Sequence, residues 1–145
     1  MTVNIQWNMR QRLAAAALAL AGTLARCGGD SGTEPTPPPA IALTPTTVGF
    51  AASAGGSNPA AQPVAVTNGG GGTLSGLSFS ISYAGGQPTG WLTASLSSPT
   101  EPSTLMLQAA TGVLAPGSYS ATVTVSSPAA SNGPQNVSVT FAVLD

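Results

Sequence analysis

Apolar side chains alternate with serine and threonine in short runs after residue 40, and this alternation constrains the fold more than any other feature. It is clearest over residues 119–125 and 137–143, where every second residue is Tyr, Phe, Val or Ala. A period of two is typical of β-strands that bury one face and expose the other. No run in this part of the sequence shows the helical period. The sequence therefore predicts an all-β domain.

The alternating runs are separated by Gly, Pro and Asn, which favour turns. The pattern predicts seven strands, near residues 41–51, 62–67, 77–83, 91–96, 104–109, 118–126 and 136–144. Seven short strands in about 100 residues are typical of an immunoglobulin-like, two-sheet antiparallel β-sandwich. Residues 114–119 also predict the tyrosine corner of such domains, in which the Tyr119 hydroxyl bonds to the backbone a few residues earlier.

Charged side chains are scarce. The chain has three Lys or Arg, four Asp or Glu and no His in 145 residues. All three cations precede Cys27, and only Glu101 and Asp145 are charged from residue 41 onward. A nucleophilic serine would lack a base, and glycosidase or metal sites need more carboxylates or imidazoles than this domain contains. We expect no catalytic residue, cofactor, metal site or nucleic-acid partner, and we interpret Glu101 as a solvated turn residue.

Residues 1–26 have the composition of an export signal. Arg10 and Arg12 precede an apolar run of Leu and Ala over residues 13–21, which is too short to span a bilayer. Met9 is an alternative start to Met1, because it places the two arginines directly before the apolar run. The sequence thus predicts a protein that leaves the cytoplasm.

Residues 24–27 read Leu-Ala-Arg-Cys and resemble the end of a bacterial lipoprotein signal. The resemblance implies that Cys27 carries a lipid and anchors the protein to a membrane of the bacterial cell envelope. Arg26 departs from the family pattern, which has a small residue before the cysteine. The alternative is cleavage after Ala21, which gives a secreted or periplasmic protein with a free thiol at Cys27.

Residues 28–40 are rich in Gly, Pro and Thr and contain no large apolar side chain. Such a segment buries too little apolar surface to order itself, so we expect an extended tether. The chain then divides into a signal peptide (1–26), an anchor cysteine with a Pro-rich tether (27–40) and one sandwich domain (41–145).

Four segments of the domain carry a family resemblance. They are Gly-Trp-Leu at residues 90–92, Leu-Met-Leu at 105–107, Gly-x-Tyr-x-Ala-x-Val at 117–123 and the valine-alternating run at 137–143. Together they resemble the BACON family of bacterial immunoglobulin-like domains. The resemblance implies a module that binds carbohydrate or mucin. The alternative is a structural or protein-interaction module with no glycan ligand.

Trp91 is the one candidate ligand contact. It follows Gly90 and precedes Leu92, whose alternation with Ala94 and Leu96 indicates a core-facing set. Alternation then places Trp91 on the opposite face or at the rim, where an exposed ring could stack on a sugar. The alternative is that Trp91 caps the open end of the sandwich.

The uncharged run at residues 136–144 offers a different activity, because it could accept a partner strand if it lies at a sheet edge. The alternative, which we favour, is that it pairs inside the sheet.

Overall fold

The computed structural model describes residues 34–145, so the predicted signal peptide, Cys27 and the first part of the predicted tether lie outside the described residues. The described residues form eight strands and no helix. The strands are β1 (Ile41–Thr44), β2 (Thr47–Ser53), β3 (Gln62–Asn68), β4 (Ser78–Tyr83), β5 (Leu92–Leu96), β6 (Ser103–Ala109), β7 (Gly117–Ser126) and β8 (Gln135–Leu144).

The strands form two four-stranded sheets with the orders β1-β3-β6-β5 and β2-β8-β7-β4. All neighbouring strands are antiparallel except β2 and β8, which are parallel. This arrangement matches the two sheets of an immunoglobulin-like sandwich, with β2 as an added strand beside the last one. The predicted fold class is confirmed. Because β8 lies between β2 and β7, the run at 136–144 pairs inside its sheet and is not an edge.

The single strand predicted over residues 41–51 is wrong, because the chain forms two strands there. β1 pairs with β3 in one sheet, and β2 pairs with β8 in the other. The crossing occurs around Pro45, which has no N–H group for a ladder hydrogen bond. The other six predicted strands agree with the structure to within one residue at each end.

The core lies between the sheets and is built from the inward positions of each alternating run. On β8, for example, alternate residues are buried and their neighbours are exposed or half-buried. Fully buried side chains contribute about 1.5–3 kcal/mol each through removal of apolar surface from water. The largest of them are Phe141, Leu74, Leu105, Leu107, Val64, Val66, Val123, Val125, Val137 and Val139.

The predicted tyrosine corner is present where β7 begins. The Tyr119 hydroxyl donates a hydrogen bond to the Ala115 carbonyl oxygen over 2.7 Å. This bond ties the start of β7 to the loop before it, four residues upstream.

Replacing Tyr119 with phenylalanine is expected to lower the free energy of unfolding by about 0.5–1.5 kcal/mol, the usual net contribution of one hydrogen bond. Urea denaturation measures the change. Ser118→Ala, at an exposed neighbour, is the control and should change stability by less than about 0.5 kcal/mol. Equal stability of Tyr119→Phe and the unsubstituted protein would show that the corner contributes nothing.

The Pro-rich segment contacts the domain before β1 begins. The Pro39 carbonyl oxygen accepts hydrogen bonds from both the backbone N–H and the hydroxyl of Ser131. The Ala40 N–H donates to Asn68 Oδ1 over 3.0 Å. Gly70 is required beside this segment, because a Cβ there would collide with the Pro38 carbonyl oxygen. The last residues of the expected tether therefore lie against the loop of four glycines at residues 69–72, which follows β3.

Glu101 is not a freely solvated turn residue, which corrects the expectation from the sequence. Its side chain is half-buried, and Oε1 accepts hydrogen bonds from Asn68 Nδ2 over 3.0 Å and from the Leu74 N–H over 3.2 Å. Glu101 thus joins the loop after β3 to the loop before β6. The carboxylate is therefore engaged in hydrogen bonds between these two loops.

Candidate binding surfaces

Trp91 is buried at one end of the sandwich, with 3% of its surface exposed. Its ring centroid lies 5.6 Å from that of Phe141, 5.7 Å from that of Tyr83 and 6.4 Å from that of Tyr119. The indole Nε1 is also buried and has no hydrogen-bond partner among the described residues. An exposed Trp91 is therefore the wrong interpretation, and the capping position is the correct one.

The reason is the place of Trp91 in the chain. It lies one residue before β5, so the period of two that buries Leu92 does not dictate where the Trp91 ring points. Gly90, with φ of 81°, turns the chain at this point. A cavity of about 170 Å³ lies beside Trp91 and is lined also by Thr111 and Leu114, but the indole is too deeply buried to present an open ring face to a sugar.

The outward side of the sheet β2-β8-β7-β4 is covered by small, mostly hydroxyl-bearing side chains, and we call it the hydroxyl face. Thr47, Ser138, Thr122 and Ser82 form one row across all four strands, because each is the cross-strand partner of the next. Neighbouring strands lie about 4.8 Å apart, so the hydroxyl groups follow one another at short, regular intervals. The outward positions are Thr47, Gly49, Ala51, Ser53, Ser78, Ser80, Ser82, Ser118, Ser120, Thr122, Thr124, Ser126, Asn136, Ser138, Thr140, Ala142 and Leu144.

A shallow groove of about 330 Å³ lies on the hydroxyl face. Its polar lining comes from Ser82, Ser120, Thr122, Ser138 and Thr140. These side chains are exposed or half-buried, so their hydroxyl groups are available to a ligand in solution. The face can form many neutral hydrogen bonds but has no aromatic ring on which a sugar could stack.

A second groove, of about 540 Å³, runs along the side of the sandwich where β4 and β5 are the last strands of their sheets. We call it the β4–β5 side. Its apolar lining includes Phe79, Ala94 and Leu96, and Phe79 is 36% exposed. At the Tyr83 end, the Tyr83 hydroxyl closes the gap between the sheets with a 3.0 Å hydrogen bond to the Leu92 carbonyl oxygen.

Both surfaces are electrically neutral, since the described residues contain only three charged side chains, at Glu34, Glu101 and Asp145. No group of three or more His, Cys, Asp or Glu side chains that could hold a metal ion occurs within residues 34–145. In the same part of the chain, no helix could span a membrane.

Sequence reasoning missed both surfaces as sites. The alternation showed that Ser and Thr face outward, but the hydroxyl face depends on which four strands share a sheet. The exposed position of Phe79 depends on β4 being an edge strand, which the alternation of its own residues does not encode. The absence of charge from β4 gives no such signal, because all eight strands lack charged residues.

No family model matches the sequence, and no curated protein matches it. Similar solved structures include the secreted serine protease VesC from Vibrio cholerae, with a TM-score of 0.46 and 13% identity over 74% of this chain and 23% of that chain. The ZirS C-terminal domain has a TM-score of 0.43 and 8% identity over 97% of this chain and 95% of that chain. WR4, a C. elegans MSP family member, has a TM-score of 0.38 and 11% identity over 71% and 96%.

This chain therefore spans less than a quarter of the length of the VesC chain that it resembles. TM-scores below 0.5 at these identities assign no function to it.

Proposed function

We propose that this chain is a non-catalytic module of the bacterial cell envelope, exported and lipid-anchored through Cys27, that binds a neutral polysaccharide at the hydroxyl face. The observation that carries the proposal is the neutral groove lined by Ser82, Ser120, Thr122, Ser138 and Thr140. The resemblance of residues 90–143 to the BACON family supports carbohydrate or mucin as the target. The signal-like sequence before Cys27 supports export and anchoring.

Hydroxyl groups suit a neutral glycan because each one donates one hydrogen bond and accepts two, as the hydroxyl groups of a sugar do. Binding of a neutral polysaccharide moves no charged group out of water, because neither the polysaccharide nor the hydroxyl face carries a charge. Each contact is weak, but a polymer that follows the strand rows makes many of them at once. We therefore expect long polysaccharides to bind better than short oligosaccharides.

The absence of catalysis is supported by the residue inventory. The domain has no His, Lys or Arg that could activate a serine, and its one internal carboxylate, Glu101, is held by Asn68 and the Leu74 N–H. A glycosidase needs two carboxyl groups on either side of the scissile bond. The chain is thus suited to holding a glycan and not to cutting it.

Removing three hydroxyl groups from the groove, in the variant Thr122→Val, Ser138→Ala, Thr140→Val, is expected to weaken polysaccharide binding at least about tenfold. That change corresponds to about 1.4 kcal/mol, roughly one net hydrogen bond. Binding is measured by affinity electrophoresis or calorimetry against a panel of neutral polysaccharides and mucins, with the folded state checked by circular dichroism.

The matched control, Thr67→Val, Ser95→Ala, Thr104→Val, makes the same three changes on the outward side of the other sheet. It should bind as the unsubstituted protein does. If a well-folded protein binds nothing on the panel, the glycan proposal is wrong and the structural or protein-interaction alternative replaces it.

A further inference from the structure

We propose that β4 is a dimerisation edge, at which it pairs antiparallel with β4 of a second copy and places Ile81 of both copies on the two-fold axis. The two sheets β2-β8-β7-β4 then join into one eight-stranded sheet, with a hydroxyl face that continues from one copy to the other. The dimer does not depend on polysaccharide binding.

The backbone of β4 has unpaired groups along one side. β4 pairs with β7 and with no other strand among the described residues. The Ala84 N–H donates to the Ser120 carbonyl oxygen over 3.0 Å, and this pair continues the register of β4 with β7. The even-numbered residues of β4 are therefore the ones whose backbone groups are bonded to β7. In an antiparallel ladder the alternate residues direct N–H and C=O to the other side. Phe79, Ile81 and Tyr83 therefore present their backbone groups to the open side.

The sequence of β4 is complementary to itself. Its residues read Ser-Phe-Ser-Ile-Ser-Tyr, with hydroxyls on one face and large apolar groups on the other. When Ile81 faces Ile81 of the second copy, Phe79 faces the second copy's Tyr83 and Ser80 faces its Ser82. Like faces then remain together, aromatic side chains are paired, and about six backbone hydrogen bonds form.

The inward side chains of β4 lack the cover that those of its neighbour have. Phe79 is 36% exposed, and Ile81 and Tyr83 are half-buried. Val125 and Val123, the cross-strand partners of Phe79 and Ile81 on β7, are fully buried. A strand added beside β4 would cover this apolar row on the side where the sandwich is open.

Charge also favours a second copy. Edge strands commonly carry Lys, Pro or bulges that prevent pairing with another chain, and β4 carries none of them. Two copies that pair through β4 bring no charged residues of that strand together, because β4 contains none. The charged side chains of the described residues are Glu34, Glu101 and Asp145, which lie outside β4. β4 is six residues and about 20 Å long, so the interface is small and the dimer should be weak and concentration-dependent.

The other edges are less suitable. On β2, the Gly49 carbonyl oxygen is already bonded to Gln62 Nε2 over 3.1 Å. On β5, the Leu92 carbonyl oxygen is bonded to the Tyr83 hydroxyl over 3.0 Å. β1 has only four residues. β4 is the edge with the longest run of unoccupied backbone groups that is also self-complementary.

A disulfide test distinguishes this register from random collision. Both test proteins are full-length and carry Cys27→Ser. One of them also carries Ser80→Cys. The other carries Ser82→Cys and a tag that gives it a different size. Non-hydrogen-bonded antiparallel partners have Cα atoms about 4.5 Å apart, within the range that a disulfide bridges. We expect the mixture to form a heterodimeric disulfide that neither protein forms alone, because identical positions lie about 7–8 Å apart on the diagonal.

Sedimentation velocity of the full chain carrying Cys27→Ser tests the dimer without any cysteine. We expect monomer at low micromolar concentration, dimer on concentration, and loss of the dimer in Ser80→Lys/Ser82→Lys, where opposed lysines repel. The control Ala51→Lys/Ser53→Lys adds the same charge, at the same spacing, on the opposite edge strand β2 and should still dimerise. A monomer at every concentration, an oligomer that survives Ser80→Lys/Ser82→Lys, or equal cross-linking in the unmixed samples overturns the proposal.

Discussion

Replacing Trp91 with alanine is expected to lower the free energy of unfolding by about 3–5 kcal/mol, the usual loss for a large buried aromatic side chain. The indole is 3% exposed and packs against the rings of Tyr83, Tyr119 and Phe141. Its removal leaves a cavity where the two sheets meet at the end of the sandwich. Since whole domains are stable by only about 5–15 kcal/mol, much of the protein would unfold in mild urea.

Phe79→Ala is the matched control for the loss of an aromatic ring. Phe79 is 36% exposed, so its removal should cost less than about 2 kcal/mol when measured at low protein concentration. Urea denaturation followed by circular dichroism measures both variants. If Trp91→Ala kept its full stability and lost only polysaccharide binding, Trp91 would be a ligand contact after all, against the burial seen here.

The burial of Trp91 shows the limit of the apolar alternation as a guide to which side chains face the core. The period of two correctly assigns Leu92 to the core, because Leu92 is the first residue of β5 that is paired in the ladder. Trp91 precedes β5, and its carbonyl oxygen accepts a hydrogen bond from the Ala110 N–H over 2.8 Å. Its ring packs against aromatic rings from β4, β7 and β8. The contacts with Tyr119 and Phe141 join residues far apart in sequence, so no local pattern indicates them.

The break between β1 and β2 did leave a signal in the sequence. Ile41 and Leu43 are the inward residues of β1, whereas Val48 and Phe50 are the inward residues of β2. The apolar set thus changes from odd to even positions around Pro45. A single strand cannot make that change without turning its apolar face to solvent, so the shift in phase indicates two strands.

The candidate surfaces were predictable only in composition. Interleaved Ser and Thr indicated neutral outward faces, and the structure has such a face on the sheet β2-β8-β7-β4. The neighbours of each strand were not predictable, because strand order is set by long-range packing. That order makes β4 an edge and β8 a central strand, although β8 has the more regular apolar alternation of the two.

Replacing Val139 with aspartate is expected to unfold the domain at pH 7, whereas Thr140→Asp on the next residue should change stability by less than about 0.5 kcal/mol. Val139 is 1% exposed in the core, and Thr140 lies on the hydroxyl face. Moving an ionised carboxylate out of water is very unfavourable unless a cation pairs with it. The sequence has no Lys, Arg or His after Arg26, so the domain contains no side chain that could do so.

The pH dependence separates this cause from simple loss of packing. Burial raises the pKa of the introduced carboxyl group above its unfolded value of about 3.9, so the penalty applies above that pKa and shrinks as the pH falls through the folded-state pKa. Val139→Asp should therefore recover part of its structure on acidification, whereas Val139→Ala, which loses packing without adding charge, should not.

If Val139→Asp and Thr140→Asp were equally stable at pH 7, the inward and outward assignment of β8 would be wrong. The hydroxyl face and the β4 pairing both depend on that assignment through the register of β7 with β8 and of β4 with β7.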